Sequence, residues 1–245
     1  MKQTIFEIKE NTALTSNVYK MVLCGDTSDV TASGQFVNIK LEGLFLRRPI
    51  SVCDCEDGVL TIIYKVVGKG TEQMSNMKPG EKLDVLTGLG NGYDLEKSGD
   101  TPLLLGGGVG VPPMYMLAKK LIGQGKKVSV ILGFNKKDEI FYEEEFKALG
   151  ASVTVCTADG SYGVKGFVTD AMKNTDYSYF YTCGPEPMLK AVYSASETSG
   201  QFSFEERMGC GFGACMGCSC KTVTGYKRIC KDGPVLEKEE ILWEK

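Results

Sequence analysis

Residues 103–113 read Leu103-Leu104-Leu105-Gly106-Gly107-Gly108-Val109-Gly110-Val111-Pro112-Pro113. Consecutive leucines suit a strand buried on both faces, clustered glycines a tight turn, and proline the first turn of a helix. A buried strand that runs through a glycine turn into a helix is the context a dinucleotide phosphate loop requires. The stretch departs from G-x-G-x-x-G, because the last position, counted from Gly106 or Gly108, falls on Val111 or Pro113. Gly107, Gly108 and Gly110 are the candidate backbone contacts.

Downstream, strands and helices alternate. Helices are predicted over 112–121, 142–149, 167–172 and 185–196, and strands over 128–134, 153–156, 179–181 and 202–204. This alternation means a parallel sheet covered by helices on both faces. A second strand-to-helix junction reads Thr182-Cys183-Gly184-Pro185. Cys183, at a strand's carboxyl end, would face a nicotinamide ring in the crevice such sheets use for ligands. Taken by itself, it is also what a small buried apolar residue looks like. The second strand ends in Phe134-Asn135-Lys136-Lys137-Asp138, which does not decide between NAD and NADP.

Upstream, the pattern is that of an all-β barrel. Runs at 5–8, 18–23, 36–41, 59–66 and 82–86 are rich in Val, Ile, Leu and Tyr and are separated by turn residues, with one short helix over 71–77. Arg48-Pro49-Ile50-Ser51 offers a cation for a phosphate and a hydroxyl for a flavin ring nitrogen. Further on come Ile63-Tyr64-Lys65 and Gly68-Lys69-Gly70-Thr71, whose amides open a helix and suit a pyrophosphate. Each motif alone is common on edge strands and in turns; their order ahead of a parallel α/β unit gives them weight.

The tail holds Cys210, Cys215, Cys218, Cys220 and Cys230, five of the chain's 10 cysteines. The first three follow C-x4-C-x2-C, the spacing of a plant-type 2Fe–2S loop. Cys220 and Cys230 compete as fourth ligand. A turn at Thr224-Gly225 between strand-like runs at 221–223 and 227–229 folds Cys230 back beside Cys218 and favours it. A four-cysteine zinc site usually presents two separated C-x2-C pairs, and this tail has one. Three units are expected: a barrel over 1–98, an α/β unit over 99–204 and a metal module over 205–245.

Composition narrows the function. The chain has 245 residues, a formal charge of −3 and scattered basic pairs, which argues against nucleic acid. It has no histidine, which excludes Ser-His and Cys-His machinery and Rieske clusters. The apolar run near 103–118 is broken by glycine and proline, and the N-terminus has no apolar signal core, so a cytoplasmic protein with no membrane span is expected.

Residues 46–52 (LRRPISV), 106–115 (GGGVGVPPMY), 157–170 (TADGSYGVKGFVTD), 205–222 (EERMGCGFGACMGCSCKT) and 230–234 (CKDGP) together resemble the ferredoxin-reductase superfamily. Within it, the chain is similar to the electron transfer subunits of NAD-dependent dihydroorotate dehydrogenases of type B. That resemblance implies FAD held by Arg48, Pro49, Ile50, Ser51, Ile63, Tyr64, Lys65, Gly70 and Thr71, with Lys65 standing where the family often has arginine. It also implies 2Fe–2S ligands Cys210, Cys215, Cys218 and Cys230. It further implies electron flow from the FMN of a catalytic subunit, through 2Fe–2S and FAD, to NAD, in a heterotetramer of two copies of each subunit. No side chain is then needed as acid or base. Phe212 and Met216, on the cluster loop, are expected docking contacts. The rival within the superfamily is the small subunit of an NADH-dependent ferredoxin:NADP oxidoreductase or of a sulfide dehydrogenase. Some members of that group have aspartate in place of a cluster cysteine, and all four cysteines are present here.

Overall fold

The computed structural model describes residues 1–243. Six strands come first: β1 (Lys2–Ala13), β2 (Val18–Cys24), β3 (Phe36–Lys40), β4 (Arg48–Glu56), β5 (Val59–Lys65) and β6 (Lys82–Leu89). They close into an antiparallel barrel in the order β1-β2-β5-β4-β3-β6, and closure removes exposed edges. Strand alternation turns Phe6, Met21, Val37, Ile39, Ile62 and Tyr64 into its core. The strand that the sequence pattern does not announce is β4. Pro49, Asp54 and Glu56 interrupt its apolar alternation, and the proline is tolerated because it sits at the strand's start.

Helix α1 (Lys69–Asn76) follows β5. Its far end is held by Asn11, whose Nδ2 donates to the carbonyls of Met74 and Met77, both at 2.9 Å. The Tyr64 hydroxyl donates to Asn11 Oδ1 at 2.9 Å, so the barrel core aims the helix.

The second unit alternates β7 (Pro102–Gly107), α2 (Pro112–Gly123), β8 (Ser129–Phe134), α3 (Glu143–Ala148), β9 (Ser152–Thr157), β10 (Val164–Lys165), α4 (Val168–Met172), β11 (Tyr179–Cys183), α5 (Glu186–Ala195) and β12 (Gly200–Ser203). The tail adds a hairpin, β13 (Ser219–Thr222) and β14 (Gly225–Arg228), and a last strand, β15 (Val235–Glu237). The sheet order is β10-β9-β8-β7-β11-β12-β15, parallel except for β15, which runs antiparallel to β12. Strand order reverses between β7 and β11, and the crevice at the carboxyl ends of two such strands is where open α/β sheets bind ligands.

The three parts share cores. Phe36, Leu86 and Leu89 of the barrel pack in one cluster with Leu103, Leu105 and Phe180 of the sheet and with Cys218, Ile229 and Cys230 of the tail. Each leucine, isoleucine or phenylalanine among them, fully buried, contributes about 1.5–3 kcal/mol. Polar links fix the angle between parts. Lys119 of α2 pairs with Asp54 at 3.1 Å and Glu56 at 2.7 Å on β4. Asn91 exchanges hydrogen bonds with the Val235 backbone at 2.8 and 2.9 Å, as a strand neighbour would. Among the described residues, no helix is long and apolar enough to cross a membrane.

Candidate functional site

The first part of the site lies where β4 begins and β5 ends. In an antiparallel pair, residues directly opposite share a face, and here Phe36 faces Ser51, Val37 faces Ile50 and Asn38 faces Pro49. Pro49 and Ser51 therefore share the barrel's outer face, while Ile50 leans inward with Val37 and can offer a ligand only its backbone. On β5, Tyr64 is in the barrel core, Ile63 joins the cluster beneath α2, and Lys65 is exposed at the strand end.

Arg48 arches over the start of α1: a β-carbon on Gly70 would fall 2.1 Å from Arg48 Nε. The first amides of a helix have no intrahelical acceptor, and here the first to find one is Glu72 N, on Gly68 O at 2.9 Å. Thr71 Oγ1 accepts from the amides of Val67 at 3.0 Å and Gly68 at 3.3 Å, which sets the turn before the helix. A guanidinium above free amides is a fitting cradle for a pyrophosphate, and the outer face of Pro49 and Ser51 gives a flat ring a place beside it. The residues present fit a flavin dinucleotide.

The second part is the crevice between β7 and β11. The turn Gly108–Gly110 passes directly over the Cys183-Gly184 backbone, where a β-carbon on Gly110 would lie 2.2 Å from Cys183 O. Gly107 is as close to α5, its β-carbon position 2.3 Å from Met188 Sδ. Cys183 is 2% exposed. Burial pushes its thiol well up, with the Glu205 carboxylate adding to this and the Ser203 hydroxyl opposing it, so it is held as a neutral thiol rather than a nucleophile. Tyr93 buttresses the same end of β11, its hydroxyl donating to Thr182 O at 3.2 Å. The loops after β8 and β9 lie together at the outer end: Asp159 N donates to Asn135 O at 3.1 Å and Lys137 N to Ser161 Oγ at 2.8 Å.

The third part is the cysteine tail, which brings its thiols together in two pairs. The amides of Ala214 and Cys215 donate to Cys210 Sγ at 3.2 and 3.4 Å, and the Cys215 side chain lies beside it. Burial raises the Cys210 thiol, but the amides of Phe212 and Cys215, the Cys215 side chain and the amide of Ala214 outweigh it and bring the group down to about 6. The hairpin register pairs Ser219 with Arg228 and Cys220 with Lys227. It carries Cys230 back so that its amide donates to Cys218 Sγ at 3.4 Å, and burial beside Cys218 pushes the Cys230 thiol up to about 12. Cys210 is close enough to Cys230 to bear on its charge.

Among the described residues, no group of three or more Cys, Asp or Glu side chains gathers around one point as a single metal ion would require. Two adjacent pairs are what a binuclear centre uses, two thiolates for each iron. Arg228 anchors the loop, forking to Asp232 at 2.9 and 3.2 Å and donating to Gly213 O at 2.9 Å. Cys220, in β13, packs against the apolar cluster under the tail, where the charge of Cys218 bears on it as well.

Sequence reasoning missed Asn38, Lys119 and Arg228. Asn38 was the one with a visible signal, a polar residue inside the apolar run Phe36-Val37-Asn38-Ile39. The partners of the other two are set by tertiary packing alone.

Residues 205–242 match the family described as the iron-sulfur cluster binding domain of dihydroorotate dehydrogenase B, and residues 104–194 the oxidoreductase NAD-binding domain. The chain is 47% identical to the dihydroorotate dehydrogenase B (NAD(+)) electron transfer subunit of Fusobacterium nucleatum, over 96% of each chain. It is 44% identical to that of Bacillus pumilus, over 98% of each. Among solved structures, an NADH-dependent reduced ferredoxin-NADP oxidoreductase superposes with a TM-score of 0.89 at 31% identity, covering 97% of this chain and 90% of that one. A Neisseria gonorrhoeae ferredoxin NADP+ reductase with bound FAD and NADP shares the fold at a TM-score of 0.70 and 18% identity, over 80% of this chain and 90% of that one.

Proposed function

The chain belongs to the electron transfer subunits of dihydroorotate dehydrogenase B, and on that premise we propose that it delivers electrons taken from dihydroorotate by a catalytic partner to NAD+. The observation that carries this reading is that three fitting seats, for a flavin, a nicotinamide and a two-iron centre, occur on one chain whose parts share a core. When bound, those groups would supply one-electron carriage at the 2Fe–2S centre and, at FAD, storage of two singly collected electrons that leave together as a hydride.

The chain's own residues supply position. Arg48 and the amides of Gly70 and Thr71 neutralise and orient the flavin's phosphates, and Pro49 and Ser51 bound its ring, with backbone from Ile50, Ile63, Tyr64 and Lys65 alongside. Lys65 offers a point charge where arginine would fork two hydrogen bonds. Gly107, Gly108 and Gly110 let a dinucleotide approach the crevice, where Cys183 and Gly184 face its nicotinamide end. Cys210, Cys215, Cys218 and Cys230 hold iron, and the amides already aimed at Cys210 Sγ stabilise its thiolate. No general acid or base is required of the protein.

The partner is an FMN-bearing catalytic subunit, and the reading extends to two copies of each subunit in the cytoplasm. Residues 1–98, 99–204 and 205–245 serve as flavin, nicotinamide and cluster units. The test is dihydroorotate-dependent NAD+ reduction by the native complex, before and after this subunit is stripped from it. Activity that is lost on stripping and restored on return is expected. A flavin and iron–sulfur complex that ignores dihydroorotate, yet oxidises NADH or NADPH, would instead place the chain with the ferredoxin:NADP oxidoreductases or sulfide dehydrogenases; its likeness to the first of these, 31%, is lower than its 47% likeness here.

A further inference from the structure

Asn38 stands on the outer face of the barrel, opposite Pro49 and two pairs along from the Phe36–Ser51 pair, so it shares the face proposed to receive the flavin ring. Its side chain is 1% exposed, in a strand whose other members are buried and apolar apart from Lys40 at its end. Nδ2 donates across to the carbonyl of Cys210 at 3.3 Å, a contact 172 residues distant in sequence. Arg47 fixes the same strand from outside, donating to Asn38 O at 3.3 Å and pairing with Asp84 at 3.0 Å.

Two details make this contact more than packing. Gly211, next to the cysteine, has φ +78°, and a β-carbon there would fall 2.3 Å from Asn38 Nδ2, so the cluster loop closes onto the amide only with glycine at that position. Asn38 Oδ1 is also buried and has no hydrogen-bond partner in the protein. An unmet buried acceptor of this kind is rare and marks a place where a further group pairs.

We propose, resting on the function proposed above, that Asn38 is a positioning residue that ties the flavin seat to the cluster loop, one amide group holding Cys210 at a fixed separation from the flavin. Its Nδ2 binds the loop, and its Oδ1 is kept for a hydrogen-bond donor that arrives with the bound cofactors. Asn38 itself takes no electron and no proton.

The test uses the intact complex with its catalytic partner, comparing wild type with Asn38→Leu, which keeps the size and removes both hydrogen bonds. FAD and iron contents are measured first, since a wild-type complex without them overturns the functional reading and leaves nothing for Asn38 to position. With both present, two readouts follow: the cluster's midpoint potential, and the magnetic coupling between a flavin radical and the reduced cluster, which falls steeply with distance. Asn38→Leu is expected to shift the potential and weaken the coupling at unchanged FAD and iron contents, and Asn38→Gln, which retains the amide, is expected to recover part of both. Should Asn38→Leu fail to assemble, Gly211→Ala provides a second variant, since its new methyl pushes on the Asn38 amide from the loop side while every barrel residue stays wild type, and the same changes are expected. Potential and coupling equal to wild type in the assembled variant would overturn the proposal.

Discussion

Gly110 lies directly against Cys183, with only hydrogen where a side chain would stand 2.2 Å from the Cys183 carbonyl oxygen. The two residues come from different strand-to-helix turns, after β7 and β11, and their contact forms the floor of the crevice proposed for the nicotinamide. Backbone that cannot move aside makes any β-carbon here costly, on the order of 1–3 kcal/mol as overpacking. Gly110→Ala is therefore expected to raise KM for NAD+ at least tenfold, while visible flavin and cluster absorbance stay at wild-type levels. Equal loss of all three cofactors would mean that Gly110 supports the fold and not the crevice.

The pairing of Cys210 with Cys215, and of Cys218 with Cys230, leaves Cys220 outside both pairs. Replacing Cys215 by Ser is expected to remove the electron paramagnetic resonance signal of the reduced cluster and spare the flavin. Cys230→Ser should act in the same way, and Cys220→Ser should leave the signal intact. A signal that survives Cys230→Ser and vanishes in Cys220→Ser would exchange the two roles.

Much of this arrangement is legible in the sequence because it rests on local chemistry. Leu103–Pro113 encodes strand, turn and helix within eleven residues, and C-x4-C-x2-C encodes its loop within nine. The runs at 5–8, 18–23, 36–41, 59–66 and 82–86 all fall on barrel strands, and the fold-back that carries Cys230 to Cys218 follows from a hairpin only four residues to a side. What stays hidden depends on chain segments far apart. Strand β4 is polar at alternate positions because its outer face meets α2 through Asp54 and Glu56. Strand β15 is three residues long and exists only because β12 offers it an edge. Asn38 could be flagged as out of place in an apolar strand, but its partner, Cys210 O, is set by how the tail folds back on the barrel.

Glu237 of β15 gives a pH dependence. Burial raises its carboxyl, but hydrogen bonds from Lys97 (2.7 Å), Gln201 (2.7 Å) and Tyr179 (2.8 Å) prevail and leave it below its ordinary value of 4.5. A carboxyl that is lowered on folding stabilises the protein above its unfolded value, and that contribution is lost as pH falls through the folded one. Glu237→Gln is thus expected to cost about 1–2 kcal/mol at pH 7, with the gap from wild type closing below roughly pH 4.5. Urea unfolding at several pH values measures it, and a gap that stays constant with pH would remove the charge from the explanation.

Arg48 is the cation proposed to meet the flavin's phosphates, and its position depends on Gly70 having no side chain. A hydrogen bond to a charged group contributes about 1.5–3 kcal/mol, so Arg48→Ala is expected to weaken FAD binding roughly 10- to 150-fold. Flavin fluorescence on titration into stripped protein reports this. Gly70→Ala should produce a smaller loss in the same direction, because its methyl displaces Arg48 Nε while the α1 amides remain. Arg48→Lys should fall between wild type and Arg48→Ala, keeping the charge and losing the fork. FAD affinity unchanged in Arg48→Ala would mean that the α1 amides alone hold the pyrophosphate, and the guanidinium would then be no more than a lid on the turn.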